Sequence, residues 1–583
     1  MVFLNFFIGF FALFLSPQIY LRYKFPLIKN SIVSSFSLIF SFTAIWFLTL
    51  LSTAFKISDL FFQILSYFIF ICSIYFSLKS YNKIETIHFT PWVWLLALTL
   101  SSPLWFYIGD VFTSWDAVAS WNRWGIELAN NNYHPEGTAY PILVSSMFSM
   151  LYKLQGTTDI WWTVKLSLYV LPVVSFLIPI FLYIETRNKT FLISVFCLYS
   201  YAINAHSISG YTDIPVMLFG FLSLILLYAA DLYKEKTEFY FYISSALLFA
   251  GLCSIVKQAG LAFLLFNFVF LFFNRKCLKR SSIFIIFLLS MSYFTSFLIW
   301  YFIYNNNPIS NLSHLRELSS STSDRGAGFW DYPNYFSGII TLLMIIISFY
   351  LYRYDSLRRF ASISFLSGLF FIIGLLIWWS FFSYDGRNSA WVKSFLILSF
   401  SINLAFFLDN HSTLSVLRMK LIFFNFKERQ HLYHLLQKIN FLPLLYFFTF
   451  FIISASFFLL DNEFLEKVQR DGQSKIGNMD VGKKIRDLVV GKANCVKIIS
   501  IDIPLTYNYY TRSFRERFIY GQYSKDTLIH SCKDGRYFVF GQWEVDGKDW
   551  ANILEAERLG FIKEIGKRTD LIYFAPLSSE EKN

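Results

Sequence analysis

Four short stretches of this sequence put ionisable residues where apolar segments end. Charge at such a boundary is expensive unless it is paired or lines a wet cavity, so these stretches are where chemistry is to be sought. The first runs from Gly109 to Trp124 and carries Asp110, Asp116 and Arg123 among Trp115, Trp121 and Trp124. A carboxylate beside tryptophans in a half-buried loop can act as a general base with a tuned pKa. Tryptophan faces also stack on the C–H face of a sugar ring. The bland alternative is an interfacial aromatic belt with a solvated aspartate, and the local residues leave the two open.

The other three are shorter. Gly210-Tyr211-Thr212-Asp213-Ile214-Pro215 opens an apolar run. Asp213 there is expected to cap a helix N-terminus, with Pro215 suited to the first turn. A cap also fixes a carboxylate in place, so capping and catalysis are compatible. Lys257-Gln258-Ala259-Gly260 joins two short apolar runs, and its lysine is either a snorkelling cation or an anion ligand. Tyr384-Asp385-Gly386-Arg387 ends another run, where an arginine can grip a phosphate with two parallel hydrogen bonds or simply pair with Asp385.

The elements that must position these residues are membrane helices. The chain has 583 residues, 56% of them hydrophobic, 21% aromatic and only 15% charged. Its apolar residues come in continuous blocks of roughly 17–23, the length a helix needs to cross a bilayer, not in the short alternating segments of a barrel. Spans are expected at about 4–20, 31–54, 59–78, 91–108, 164–184, 190–204, 213–230, 241–256, 260–273, 283–304, 336–352, 360–382, 391–408 and 441–460. Met1 to Tyr20 lacks a basic leader and a small-residue cleavage site, which predicts a retained helix.

The net charge of +12 sits in short loops, so membrane topology accounts for it and nucleic-acid binding is not expected. Arg22, Lys24, Lys29, Lys79, Lys83, Arg187, Lys189, Lys234 and Lys236 belong to one set of alternate loops, with the basic residues of 275–280, 353–359 and 418–438. The other set holds only Lys56, Arg123, Lys153, Lys257, Arg316, Arg325 and Arg387. The first set is therefore expected on the cytoplasmic side, provided that Tyr140–Gln155 lies along or dips into the membrane without crossing it.

The expected organisation is then 1–90 as N-terminal accessory helices and 91–460 as a transmembrane core with outward loops at 109–162 and 305–335. Residues 461–583 are expected as a soluble extracytoplasmic α/β domain. Within that tail the patterning predicts strands at Cys495–Asp502 and Tyr537–Gly541 and helices at Asp480–Val490 and Trp550–Leu559. A hairpin is expected from Phe561–Ile565 and Leu571–Phe574. Cys72, Cys197, Cys253 and Cys277 read as apolar fillers, and Cys495 and Cys532 fall where a disulfide is chemically allowed. No Cys/His spacing suits zinc.

Together the four stretches resemble the GT-C superfamily, multi-spanning glycosyltransferases such as protein O-mannosyltransferases and the aminoarabinose transferase of lipid A. The likeness lies in the order of motifs: a long first outward loop with an aspartate, Tyr-x-Asp-x-Pro opening a helix, Lys-x-x-Gly at a turn and Tyr-Asp-x-Arg at a helix end. It covers about residues 90–460, and the helices before Thr90 fall outside the usual core. The superfamily's adjacent acidic pair is absent, since Asp110 and Asp116 are separated, so no cofactor is certain and a divalent cation is possible but not indicated.

The resemblance implies a polyprenyl-phosphate sugar donor, a glycan, lipid or protein acceptor, surrounding membrane lipids and no nucleic acid. It implies Asp116 as general base in an inverting displacement, with Asp213 orienting its neighbours. Lys257 and Arg387 would sit on the departing phosphate, and Asp110, Trp115, Arg123 and Tyr384 would line the substrate site. The 305–335 loop, with His314, Arg316, Glu317 and Arg325, is either a lid over the donor or a linker. The rival classes are a polymerase or ligase of lipid-linked glycans and a flippase of envelope polysaccharide assembly.

Overall fold

The computed structural model describes residues 1–81, 91–108, 112, 117–131, 141–158, 160–203, 207–233, 237–274, 358–381, 389–409, 538–541, 554–555, 557–559, 562–568 and 571–576. The expected spans at 283–304, 336–352 and 441–460 lie outside these residues. So do the 305–335 loop, the elements expected at 480–490 and 495–502, Cys277, Cys495 and Cys532. The chain divides into two compact units, Met1–Phe112 with Trp124–Ser456, and Thr113–Arg123 with Phe457–Asn583.

The first unit has the architecture of a helical membrane protein. Five helical stretches are long and apolar enough to cross a bilayer: Val2–Lys24, Asn30–Phe55, Asp59–Lys79, Trp162–Thr186 and Asp213–Leu232. Val2–Lys24 consists of α1 (Val2–Phe14) and α2 (Ser16–Lys24), because Pro17 in the first turn of α2 supplies no N–H to continue the ladder. After α3 (Asn30–Phe55) and α4 (Asp59–Tyr81), α5 (Pro91–Ser101) ends in a 3₁₀ turn, Ser102–Tyr107, where Pro103 ends α-helical bonding. The expected single run at 91–108 is thus an α-helix with a tighter end.

The core continues through α6 (Asn122–Ala129), α7 (Leu143–Gln155), α8 (Trp162–Thr186), α9 (Lys189–Ala202) and α10 (Asp213–Leu232). It is completed by α11 (Glu238–Ser254), α12 (Leu261–Phe273), α13 (Arg358–Phe381) and α14 (Ala390–Asp409). Small polar side chains tie these helices together where bulk apolar packing is nondirectional. Asn267 on α12 donates to Ser223 on α10 at 2.9 Å, and Ser394 on α14 donates to the Met217 carbonyl of α10 at 2.8 Å. Asn403 on α14 donates to Ser364 on α13.

Contacts define two ends of this bundle. At one, the start of α10 meets the end of α11, through a 2.6 Å ion pair between Asp213 and Lys257. At the other, Glu185 near the end of α8 accepts from the Ser31 N–H of α3 at 3.0 Å and from the Ser31 hydroxyl. The Tyr242 hydroxyl of α11 also donates to it, at 3.4 Å. Lys29 pairs with Glu238 at 3.3 Å and lies 3.8 Å over the Tyr233 ring. Burial works against the Lys29 ammonium, but bonds to Tyr233 and Glu238 more than offset it and hold the pKa above the ordinary lysine value.

Helix α7 does not pass from one end to the other. Its first N–H, Leu143, donates to the Ile255 carbonyl at 3.1 Å, two residues before Lys257. Its last residue, Gln155, accepts from the Thr163 hydroxyl at the start of α8 at 2.7 Å. Both termini therefore meet the Asp213 end. A 13-residue helix is about 20 Å long and fits along that end.

In the second unit, strands β1 (Phe538–Gly541), β2 (Ile562–Arg568) and β3 (Leu571–Pro576) form a sheet in the order β1-β3-β2. Both pairings are antiparallel, with a bulge in β2 between Glu564 and Gly566.

Candidate functional site

Three of the expected site residues are described, and two of them meet. Asp213 is the first residue of α10, and Lys257 lies in extended backbone between α11 and the 3₁₀ turn Gln258–Gly260. Their side chains keep 11% and 17% of their surface exposed, so the pair is sequestered but not sealed. The expected capping role of Asp213 is corrected. Thr212 is the N-cap, without a side-chain cap bond, and the Asp213 carboxylate is engaged by an ammonium at 2.6 Å. A charged partner at that distance outcompetes neutral backbone N–H groups. Lys257 is accordingly not a simple snorkelling cation.

The glycine of the Lys-x-x-Gly turn has a steric reason. A Cβ on Gly260 would stand 2.2 Å from the Cys253 carbonyl oxygen and 2.6 Å from the Ser254 nitrogen, both backbone atoms of α11. Only glycine lets the chain fold back so closely, and that return carries Lys257 to the start of α10. Cys253 reinforces the junction, its thiol donating to the Val216 carbonyl at 3.2 Å.

Arg123 lies in the first turn of α6 and is half-buried. The five residues before α6, Ala117–Trp121, form a π-helical turn, a rare geometry directly after Asp116. Trp124 is 1% exposed, which leaves no open face for sugar stacking there. Asp110, Trp115, Asp116, Tyr384 and Arg387 lie outside the described residues.

Two lysines of this end were not singled out in the sequence. Lys165, in the first turn of α8, donates to the Ile108 carbonyl, and its amine stands 5.3 Å from the centre of the Phe112 ring. It thus holds both residues that bracket Gly109 to Val111. Lys393, near the start of α14, lies 5.1 Å over the Tyr201 ring, and among the described residues no carboxylate pairs with it. Each is a charge inside an otherwise apolar run, which is itself the signal that finds them.

Among the described residues no cluster of three or more His, Cys, Asp or Glu side chains forms a metal-binding group. What the arrangement offers is a lysine held in place by a carboxylate at one end of a helical bundle. Comparison with known proteins assigns no family: no family model matches the chain, and no curated protein matches it.

Proposed function

We propose that this protein is a membrane glycosyltransferase that moves a sugar from a polyprenyl-phosphate donor to an extracytoplasmic acceptor with inversion. The observation that carries this reading is the Asp213–Lys257 pair, which joins two of the four motif stretches, far apart in sequence, at one end of the bundle. Asp213 holds the Lys257 ammonium in one position before the reaction begins, so stabilising the departing phosphate costs little reorganisation. Arg387 supplies the second cation, Asp116 takes the acceptor hydroxyl's proton, and the acceptor oxygen attacks the anomeric carbon as the bond to phosphate breaks.

The fourteen spans and the soluble α/β tail complete the proposed architecture. The sidedness draws support from Arg22, Lys24, Lys29, Arg187 and Lys189, all at the end opposite Asp213, which the positive-inside rule assigns to the cytoplasm.

One observation bears on the rival flippase reading. In the described membrane-spanning helices, Asp, Glu, Lys and Arg occur only within a few residues of either terminus, as Lys165 and Glu185 do on α8. A translocation path places ionisable groups at depth.

The deciding experiment is envelope glycan mass spectrometry with wild type, a deletion and Asp116→Asn. Loss of one hexose, pentose or amino sugar in both mutants is expected. An unchanged glycan profile in the deletion strain would sink the proposal.

A further inference from the structure

Helices α1 to α4 lie outside the part of the chain whose motifs suggest chemistry, yet three of them grip α7. On α4, Asp59 stands 3.5 Å from the Lys153 ammonium, whose side chain is 0% exposed, and the Gln63 amide donates to the Lys153 carbonyl at 3.3 Å. Asn131, just after α6, accepts from the same ammonium at 3.0 Å. On α3, the Thr49 hydroxyl donates to the Ser146 carbonyl at 3.2 Å. On α1, Gly9 faces Leu154 so closely that a Cβ would lie 2.9 Å from that side chain.

What α7 holds in turn is the Lys257 turn and the residues on either side of the 113–123 segment. Its first N–H fixes Ile255, two residues before Lys257. Its Phe148 ring packs against Phe112 at 5.2 Å, just before the segment that carries Asp116. Just after that segment, Gly125 lies against Phe148 and Ser145, where a Cβ would come within 2.8 Å of Phe148. One short helix therefore touches the Lys257 turn and both flanks of the 113–123 segment. Its far end is anchored by a buried charge whose counterion comes from α4.

We propose that the N-terminal helices are the positioning frame of the site, and that Asp59 is a positioning residue acting through α7 on the Lys257 turn. This rests on the function proposed above for its catalytic consequence, but not for its structural one. A merely stabilising ion pair is the alternative. Lys153 is fully buried while Asp59 keeps 45% of its side-chain surface exposed, so the pair contributes little net stability, yet removing the carboxylate strands the buried ammonium. Removing Asp59 alone leaves Lys153 with Asn131, so α7 is expected to shift to hydrate the ammonium. Removing both charges relieves that stress without restoring the anchor.

The test uses the full chain in nanodiscs with a reporter cysteine, Ala259→Cys, in the half-exposed turn beside Lys257. Its thiol-labelling rate, read by peptide mass spectrometry, requires no substrate. Asp59→Ala is expected to raise that rate at least threefold and to lower kcat about 10- to 100-fold with donor KM nearly unchanged. Asp59→Asn, which keeps an oxygen toward Lys153, is expected to fall near wild type in both. Asp59→Ala with Lys153→Met should recover the melting temperature while labelling stays fast and kcat low.

Labelling that is unchanged in Asp59→Ala, or that recovers together with melting temperature in the double variant, would overturn the proposal. Should Asp59→Ala fail to fold, Gln63→Ala carries the same measurements. A wild-type protein that transfers no sugar would defeat the proposed function, while the labelling result would still decide the role of Asp59.

Discussion

The two ends of the helical bundle use charge differently. At the Glu185 end one carboxylate accepts from the Ser31 N–H, the Ser31 hydroxyl and the Tyr242 hydroxyl. Lys29 is likewise matched by Glu238 and by the Tyr233 face. These groups answer one another and hold α3, α8 and α11 in register. At the Asp213 end the charges of two motif stretches form a pair. Lys257 meets Asp213 at 2.6 Å and keeps 17% of its side-chain surface exposed, and Lys393 lies over the Tyr201 ring. A closed network of satisfied groups reads as structure, while an ion pair that keeps some exposure is where a ligand's charge can be sought.

That contrast can be broken by substitution, and the largest effect is expected at Lys257. Lys257→Ala should lower transfer by about 10²–10³, with insertion and donor binding largely retained, as steady-state kinetics on purified protein would record. A normal kcat would return this end to the status of the other. Glu185→Ala should do the opposite. It leaves the Ser31 N–H without its acceptor and costs about 1–3 kcal/mol in stability, while activity per folded molecule is unchanged. Thermal unfolding in detergent, set against specific activity, checks both halves.

Lys393→Met sharpens the comparison from the other side. If its largely buried ammonium serves an anion, donor KM should rise about tenfold with little change in melting temperature. The smallest effect is expected at Lys29, whose pair with Glu238 is about a quarter exposed on each side. Glu238→Gln should cost about 0–1 kcal/mol and nothing in kinetics, by the same unfolding assay.

Much of this was legible in the residues because a bilayer leaves few options. Continuous apolar runs gave the helices, and the alternation of basic residues led to the expectation that 140–155 does not cross, with which the hydrogen bonds at both ends of α7 are compatible. The Lys-x-x-Gly turn was visible as a pattern, and its physical reason, the approach of Gly260 to Cys253, needed coordinates. What escaped reading depends on pairing across the fold. Asp213 looked like a cap because capping is local, whereas its real partner is 44 residues away. Lys153 passed as a loop charge because the burial of its side chain depends on α4 and Asn131. Prolines 17 and 103 marked breaks inside apolar runs that length alone treats as single helices.

The crossbar helix also sets an order on biogenesis. Asp59 and Gln63 precede Lys153 by about 90 residues, so the receptor for the carboxyl end of α7 is already synthesised when α7 emerges. The acceptor for its amino end, the Ile255 carbonyl, does not exist until α8 to α11 have been made. Insertion therefore passes through a stage in which α7 is tethered at one end only, with the Leu143 N–H unclaimed. The Lys257 turn is the piece that closes it, so this face of the protein cannot be complete until α11 has been synthesised.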